Sequence, residues 1–72
     1  MSLKIQEKQQ LIKLIAPITG KLFKVAAFLC RDNDKAEDLV AETFLKVCEN
    51  IHKLKDKSKF RPWVFRILNN TF

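Results

Sequence analysis

A chain of 72 residues with net charge +6, 47% hydrophobic and 31% charged, is long enough for one small domain and too apolar to be disordered. Two cysteines 18 residues apart without a CxxC exclude a disulfide scaffold and a zinc ribbon, and a single glycine excludes a glycine-rich phosphate loop. No apolar run approaches the roughly 18 residues that span a bilayer, and lysines interrupt the first 15 residues where a signal peptide needs an apolar core, so no membrane insertion and a cytoplasmic setting are expected.

Residues 1–3 read as a disordered start. From Ile5 to Leu29 the apolar positions Leu11, Leu14, Ile15, Ile18, Leu22, Val25, Ala26 and Leu29 recur every three or four residues, with Lys8, Lys13, Lys21 and Lys24 on the other side. This is an amphipathic helical stretch. An interior proline removes a hydrogen bond and clashes with the preceding turn, so a kink or break is expected near Pro17. Arg31–Asp34 reads as a turn. Asp34 and Glu37 have capping-box spacing, which makes Asp34 the expected N-cap of the next helix.

That next helix, expected over residues 35–51, is the most regular in the chain. At about 100° per residue, Ala36, Val40, Thr43, Phe44, Val47 and Ile51 share one side. Asp38, Glu42 and Glu49 fall within roughly 40° of one another on the opposite side, with Leu45 among them. The first side fits a core. The second is an acidic stripe with an unprotected leucine, which fits a protein partner.

His52–Lys59 is a basic loop with Lys53, Lys55, Lys57 and Lys59 at alternate positions. Ser58 is the expected N-cap of a last helix carrying Pro62 in its first turn, where a missing N–H is harmless. Phe60, Trp63, Val64, Ile67 and Leu68 should face inward, and Arg61, Phe65, Arg66, Asn69 and Asn70 outward, with Phe65 the exposed aromatic. No stop signal precedes Phe72, so a helix cut at its end, within something longer, is expected. Strand signals are poor throughout. The expected fold is all-α, a compact bundle of three to four helices whose stability is marginal without a partner.

Charge is laid out in blocks: +4 over residues 1–30, −3 over 31–50 and +5 over 51–72. Such a layout suits two partners of opposite sign, and it equally suits a solvated surface. No catalytic constellation is present, so the expectation is a protein that is not an enzyme and needs no cofactor. Cys48 and His52 are four apart, but two ligands make no metal site. What remains is recognition. The basic side chains of the last third neutralise phosphates, its interleaved aromatics stack on unpaired bases, and Asn69 and Asn70 offer hydrogen bonds to base edges.

Two blocks carry a family likeness. Asp34-Lys-Ala-Glu-Asp-Leu-Val-Ala-Glu-Thr-Phe-Leu45, a short basic loop, and Phe60-Arg-Pro-Trp-Val-Phe-Arg-Ile-Leu-Asn-Asn70 follow in that order. Together they resemble region 2 of bacterial RNA polymerase sigma factors, and within these the extracytoplasmic-function (ECF) group, over about residues 22–70. The family pattern is roughly D-x-A-E-D-L-V-Q-E-T-F and then F-R-x-W-L-x-R-I-A-x-N.

The resemblance implies a single region 2 domain over residues 1–72, with a polymerase-docking helix at about 35–51 and a promoter-reading loop and helix at about 52–72. The family's C-terminal helix-turn-helix domain is not among these residues. Docking is on a coiled coil of the polymerase β′ subunit. Asp38 and Glu42 match the docking acids, Ala41 stands where the family usually has glutamine, and Leu45 joins that face on the helical wheel. Promoter DNA, partly single-stranded at the minus-ten element, would meet the loop residues Leu54, Lys55, Lys57, Ser58 and Lys59. It would also meet Arg61, Arg66, Asn69 and Asn70 on the last helix, with Asn70 at the family's recurrent asparagine. Val47-Cys48 replaces a frequent Ala-Trp, which implies altered packing around the central helix. An anti-sigma factor is a further implied partner. Two alternatives share these surfaces: a small helical module that binds an anti-sigma factor or regulator without reading DNA, and a generic basic DNA binder whose affinity tracks salt and ignores sequence.

Overall fold

The computed structural model describes residues 4–72, so the disordered start expected for residues 1–3 lies outside the described residues. Three helices account for most of the chain: α1 (Ile5–Cys30), α2 (Asn33–Asn50) and α3 (Phe60–Thr71). Two single 3₁₀ turns, Ile51–Lys53 and Lys57–Lys59, join α2 to α3. The described residues hold no strand, and the all-α bundle expected from the periodicity is the fold.

α1 runs unbroken through Pro17, so the break expected there does not occur. Pro17 and Lys13 are both exposed, so the carbonyl that loses its N–H partner lies on the wet side of the helix. On the other side Leu11, Ile18 and Leu22 are buried and hold the turns before and after the proline to the core. The helix ends at Arg31, which takes the left-handed conformation (φ 55°, ψ 28°) and donates its N–H to the Ala27 carbonyl at 2.8 Å. This is the usual glycine C-cap geometry built with an arginine, which strains the backbone at that residue.

α2 begins earlier than expected. Its N-cap is Asp32, not Asp34: the Asp32 carboxylate accepts from the backbone N–H of Asp34 at 2.8 Å and of Lys35 at 3.2 Å. The left-handed turn at Arg31 brings Asp32 to the start of the helix before Asp34 is reached, so Asp34 acts instead as an acid in the positive first turn. Along α2 the buried positions are Ala36, Leu39, Val40, Thr43 and Val47. The buried Thr43 hydroxyl donates to the Leu39 carbonyl at 2.7 Å, so no polar atom is stranded there.

α2 is the middle of the bundle, packed against both neighbours, while α1 and α3 touch less. Leu22 and Ala26 from α1, Val47 from α2, and Val64 and Leu68 from α3 are completely excluded from solvent. α3 starts at Phe60, with Lys59 as an N-cap that makes no side-chain bond, so Ser58 does not cap it. Pro62 is in the first turn of α3, as its missing N–H requires. Phe60 is buried and its ring packs on Trp63 with centroids 6.0 Å apart. Phe65 is not exposed as expected: it is half-buried against the core, because α1 and α2 flank α3 on more than one side. The radius of gyration is 12.0 Å against about 11 Å for a compact chain of this length. The excess matches the first turns of α1, where residues 4–10 are all exposed.

Candidate functional site

Asp38, Ala41, Glu42 and Leu45 all lie exposed on α2. Asp38 and Glu42 are one turn apart, and Leu45 shows 63% of its surface to solvent. The two acids line a hollow of about 290 Å³ together with Cys30, Lys35, Leu39, Thr71 and Phe72. The surface that bears the two acids therefore borders the last turn of α3 through Thr71 and Phe72.

The basic loop is held by its own residues. The Asp56 carboxylate accepts from the Ser58 hydroxyl at 2.6 Å and from the Ser58 N–H at 3.0 Å. These two bonds, the hydroxyl's first, hold the Asp56 carboxyl below the usual carboxylate range. Backbone bonds from Leu54 N–H to the Ile51 carbonyl and from Lys59 N–H to the Asp56 carbonyl, both 3.1 Å, close the two turns. Lysines 53, 55, 57 and 59 are thus displayed on ordered backbone, all exposed.

The expected DNA-contacting residues divide among several surfaces. Leu54, Lys59 and Arg66 meet Pro62 and Trp63 around a hollow of about 230 Å³. Asn70 lies on the other side of Trp63, in a hollow of about 280 Å³ shared with Lys46, Asn50, Lys53, Ile67 and Thr71. Trp63 lines both hollows, so the two form one surface with an aromatic ridge. Lys57 turns away: it lines a depression with Glu7, Leu14 and His52 on the α1 side. Its ammonium donates to the Leu54 carbonyl at 3.5 Å. The Ser58 hydroxyl is committed to Asp56. The Asn69 amide donates to the Phe65 carbonyl at 3.0 Å, whereas Asn70 borders the hollow beside Trp63. Lys55 and Arg61 are exposed and border neither of the two hollows.

Lys46 and Asn50 escaped sequence reasoning. The signal was there in part: Lys46, Asn50 and Lys53 repeat at i, i+4 and i+7, one stripe over from the acids. What the repeat does not reveal is that α3 lies alongside that stripe and brings Trp63 and Asn70 to it.

The sigma-70 region 2 family model matches residues 14–72. The chain belongs to the sigma-70 region 2 family. Among its relatives, the ECF RNA polymerase sigma factor SigM of Bacillus subtilis (strain 168) is 35% identical over 51 residues, 71% of this chain and 31% of that protein. A probable RNA polymerase sigma factor of Haemophilus influenzae (strain ATCC 51907 / DSM 11121 / KW20 / Rd) is 49% identical over 53 residues, 74% of this chain and 27% of that protein. The chain thus spans about a third or less of the length of the curated relatives it matches. No solved structure matches the chain. The family resemblance read from the two sequence blocks, ECF group included, agrees with these relatives. Every candidate residue of region 2 named above lies inside the matched segment.

Elsewhere the described residues offer little chemistry. No cluster of three or more metal-ligating side chains occurs among them. No helix among them is long and apolar enough to cross a membrane.

Proposed function

We propose that this region 2 domain is the promoter-melting module of an alternative, ECF-type sigma factor, a non-enzymatic initiation factor acting in the bacterial cytoplasm. The observation that carries the reading is that the family match coincides with two exposed surfaces of opposite character on neighbouring elements. One is the acidic face of α2. The other is the basic, aromatic surface between the second half of α2 and α3.

In this reading Asp38 and Glu42, with Leu45 as the apolar contact and Ala41 in place of a polar one, dock the domain on the β′ coiled coil of polymerase core. Docking raises the effective concentration of the basic surface at the promoter. A strand leaving the duplex loses stacking and pairing. A base turned out beside Trp63 regains stacking from the indole and hydrogen bonds from Asn70, the Asn50 amide being donated to the Lys46 carbonyl at 2.8 Å. Lys46, Lys53, Lys59 and Arg66 supply cations for the flanking phosphates. The loop over residues 54–59 sets the entry to this surface, and Arg61 and Asn69 are peripheral to it.

The test is anisotropy of a labelled single strand carrying a minus-ten-type sequence against its scramble, measured over a salt series. Asn70→Ala is expected to cost about 1–3 kcal/mol on the preferred sequence and little on the scramble. Lys46→Ala and Lys53→Ala are each expected to flatten the salt dependence by about 0.7 in log–log slope, without changing the preference. Equal affinity for all sequences would leave only a generic basic DNA binder. Binding of a regulator with no affinity for DNA or polymerase would favour the interaction-module reading.

A further inference from the structure

Among the described residues, an exposed apolar stripe on α1 belongs to neither surface above. Ile12, Ala16, Gly20, Phe23 and Ala27 fall within roughly 80° of one another on the helix, the first four exposed and Ala27 half-buried where the stripe meets the core. Ile12 is 60% and Phe23 37% exposed, and Ala16 and Gly20 are open to solvent. The stripe runs for about 22 Å. At its C-terminal end it opens into a hollow of about 310 Å³ lined by Phe23, Lys24 and Ala27 and, from the start of α2, by Asn33, Ala36 and one acid, Glu37. Its solvent-side edge carries Lys13 and Lys24, and Glu7 is the only acid on the helix.

Gly20 makes the stripe more than an accident of composition. It sits mid-helix with no positive φ, and a Cβ built on it would meet nothing within 4 Å. The fold of this chain therefore does not need a glycine there, yet a glycine inside a helix destabilises it relative to alanine. A missing side chain at the centre of an apolar stripe is what lets another backbone come close.

We propose that this face of α1 is a docking stripe for an amphipathic helix of another protein, one whose apolar edge is flanked by acidic side chains. The lysines select the occupant. A second copy paired antiparallel about a two-fold axis would set Lys13 of one chain near Lys24 of the other, like against like, whereas an acid-flanked helix meets both lysines with opposite charge. The inference does not rest on the DNA-reading surface, which lies on α2 and α3.

The test uses the whole 72-residue chain and three labelled 18-residue helical peptides of equal hydrophobicity: a leucine stripe flanked by glutamates, the same stripe flanked by lysines, and a scramble. The glutamate peptide is expected to bind about tenfold more tightly than the lysine peptide at low salt, and Lys13→Glu with Lys24→Glu should reverse that order. Gly20→Ala gives the sharper result. It should raise the thermal midpoint of the free domain and weaken the glutamate peptide several-fold, two effects of opposite sign. Phe23→Ser should abolish peptide binding while single-strand DNA binding stays unchanged. Equal binding of all peptides, or tighter binding on Gly20→Ala, would overturn the proposal. So would dimerisation of the chain alone that Phe23→Ser abolishes, which would make a second copy the occupant. Anionic vesicles (phosphatidylserine and phosphatidylcholine) binding through Ile12 and Phe23 in preference to the peptide would overturn it in favour of a lipid surface.

Discussion

Asp56 and Arg31 each hold a local geometry that their neighbours exploit. Asp56 is the only acid in the basic segment 51–72, and it is spent on pinning the Ser58 hydroxyl and N–H. Its folded-state carboxyl is held below the ordinary range by those bonds. The order it gives the loop is therefore fully present above the pH at which an unfolded aspartate titrates, and is lost as pH falls through the lowered folded value. Ser58 amide-exchange protection should follow that acid titration, and Asp56→Ala should remove the protection at every pH while the helices remain. Arg31 shows the opposite economy. A left-handed residue other than glycine costs about 1–2 kcal/mol, so Arg31→Gly should stabilise the domain by up to about 1 kcal/mol in urea unfolding, and a β-branched Arg31→Val should destabilise it. Neither role is legible from residue type alone. Arginine is a poor guess for a helix C-cap, and the capping-box spacing pointed to Asp34 where the Arg31 turn makes Asp32 the N-cap.

At the scale of elements, periodicity carried most of the fold. The apolar recurrence in α1, α2 and α3 located each helix, because a face of side chains spaced three and four apart has no other way to leave water. The same pattern misjudged two places. A kink or break was expected at Pro17, and the helix is not broken there, since Leu11, Ile18 and Leu22 pack on either side of it and the orphaned carbonyl faces solvent. Pro17→Ala should restore that hydrogen bond and stabilise the domain by about 1–2 kcal/mol, read from the urea midpoint. Phe65 was expected outside, yet α3 is short and flanked by two helices, so its buried arc is wider than a single stripe. The core itself has little redundancy in a domain this small. Leu22→Ala and Leu68→Ala, each at a fully buried position, should each cost about 2–5 kcal/mol, which consumes much of the stability a single domain has.

The whole molecule sorts its charge by surface. α2 carries Asp38 and Glu42 beside the last residues of α3 and Lys46 along the flank of α3, so one helix borders both a face suited to a protein and a face suited to a polyanion. The exposed acids of α2 were readable in the sequence, because an acidic stripe on a helix with a complete core face has nothing to do inside the fold. The nucleic-acid surface was readable only in outline. Its aromatic is Trp63, expected to face inward, rather than Phe65, and Lys46 and Asn50 join Trp63 and Asn70 through the packing of α3 along α2, a contact that no local pattern encodes. The central claim is that the acidic face gives the domain its place on polymerase. It is tested most directly by the affinity of RNA polymerase core for the chain and for Asp38→Lys and Glu42→Lys, with circular dichroism as the fold control. The wild-type chain is expected to bind, and each charge reversal to lower affinity at least about tenfold with helix content unchanged. Core binding that is absent in the wild type, or equal in all three proteins, would contradict the account.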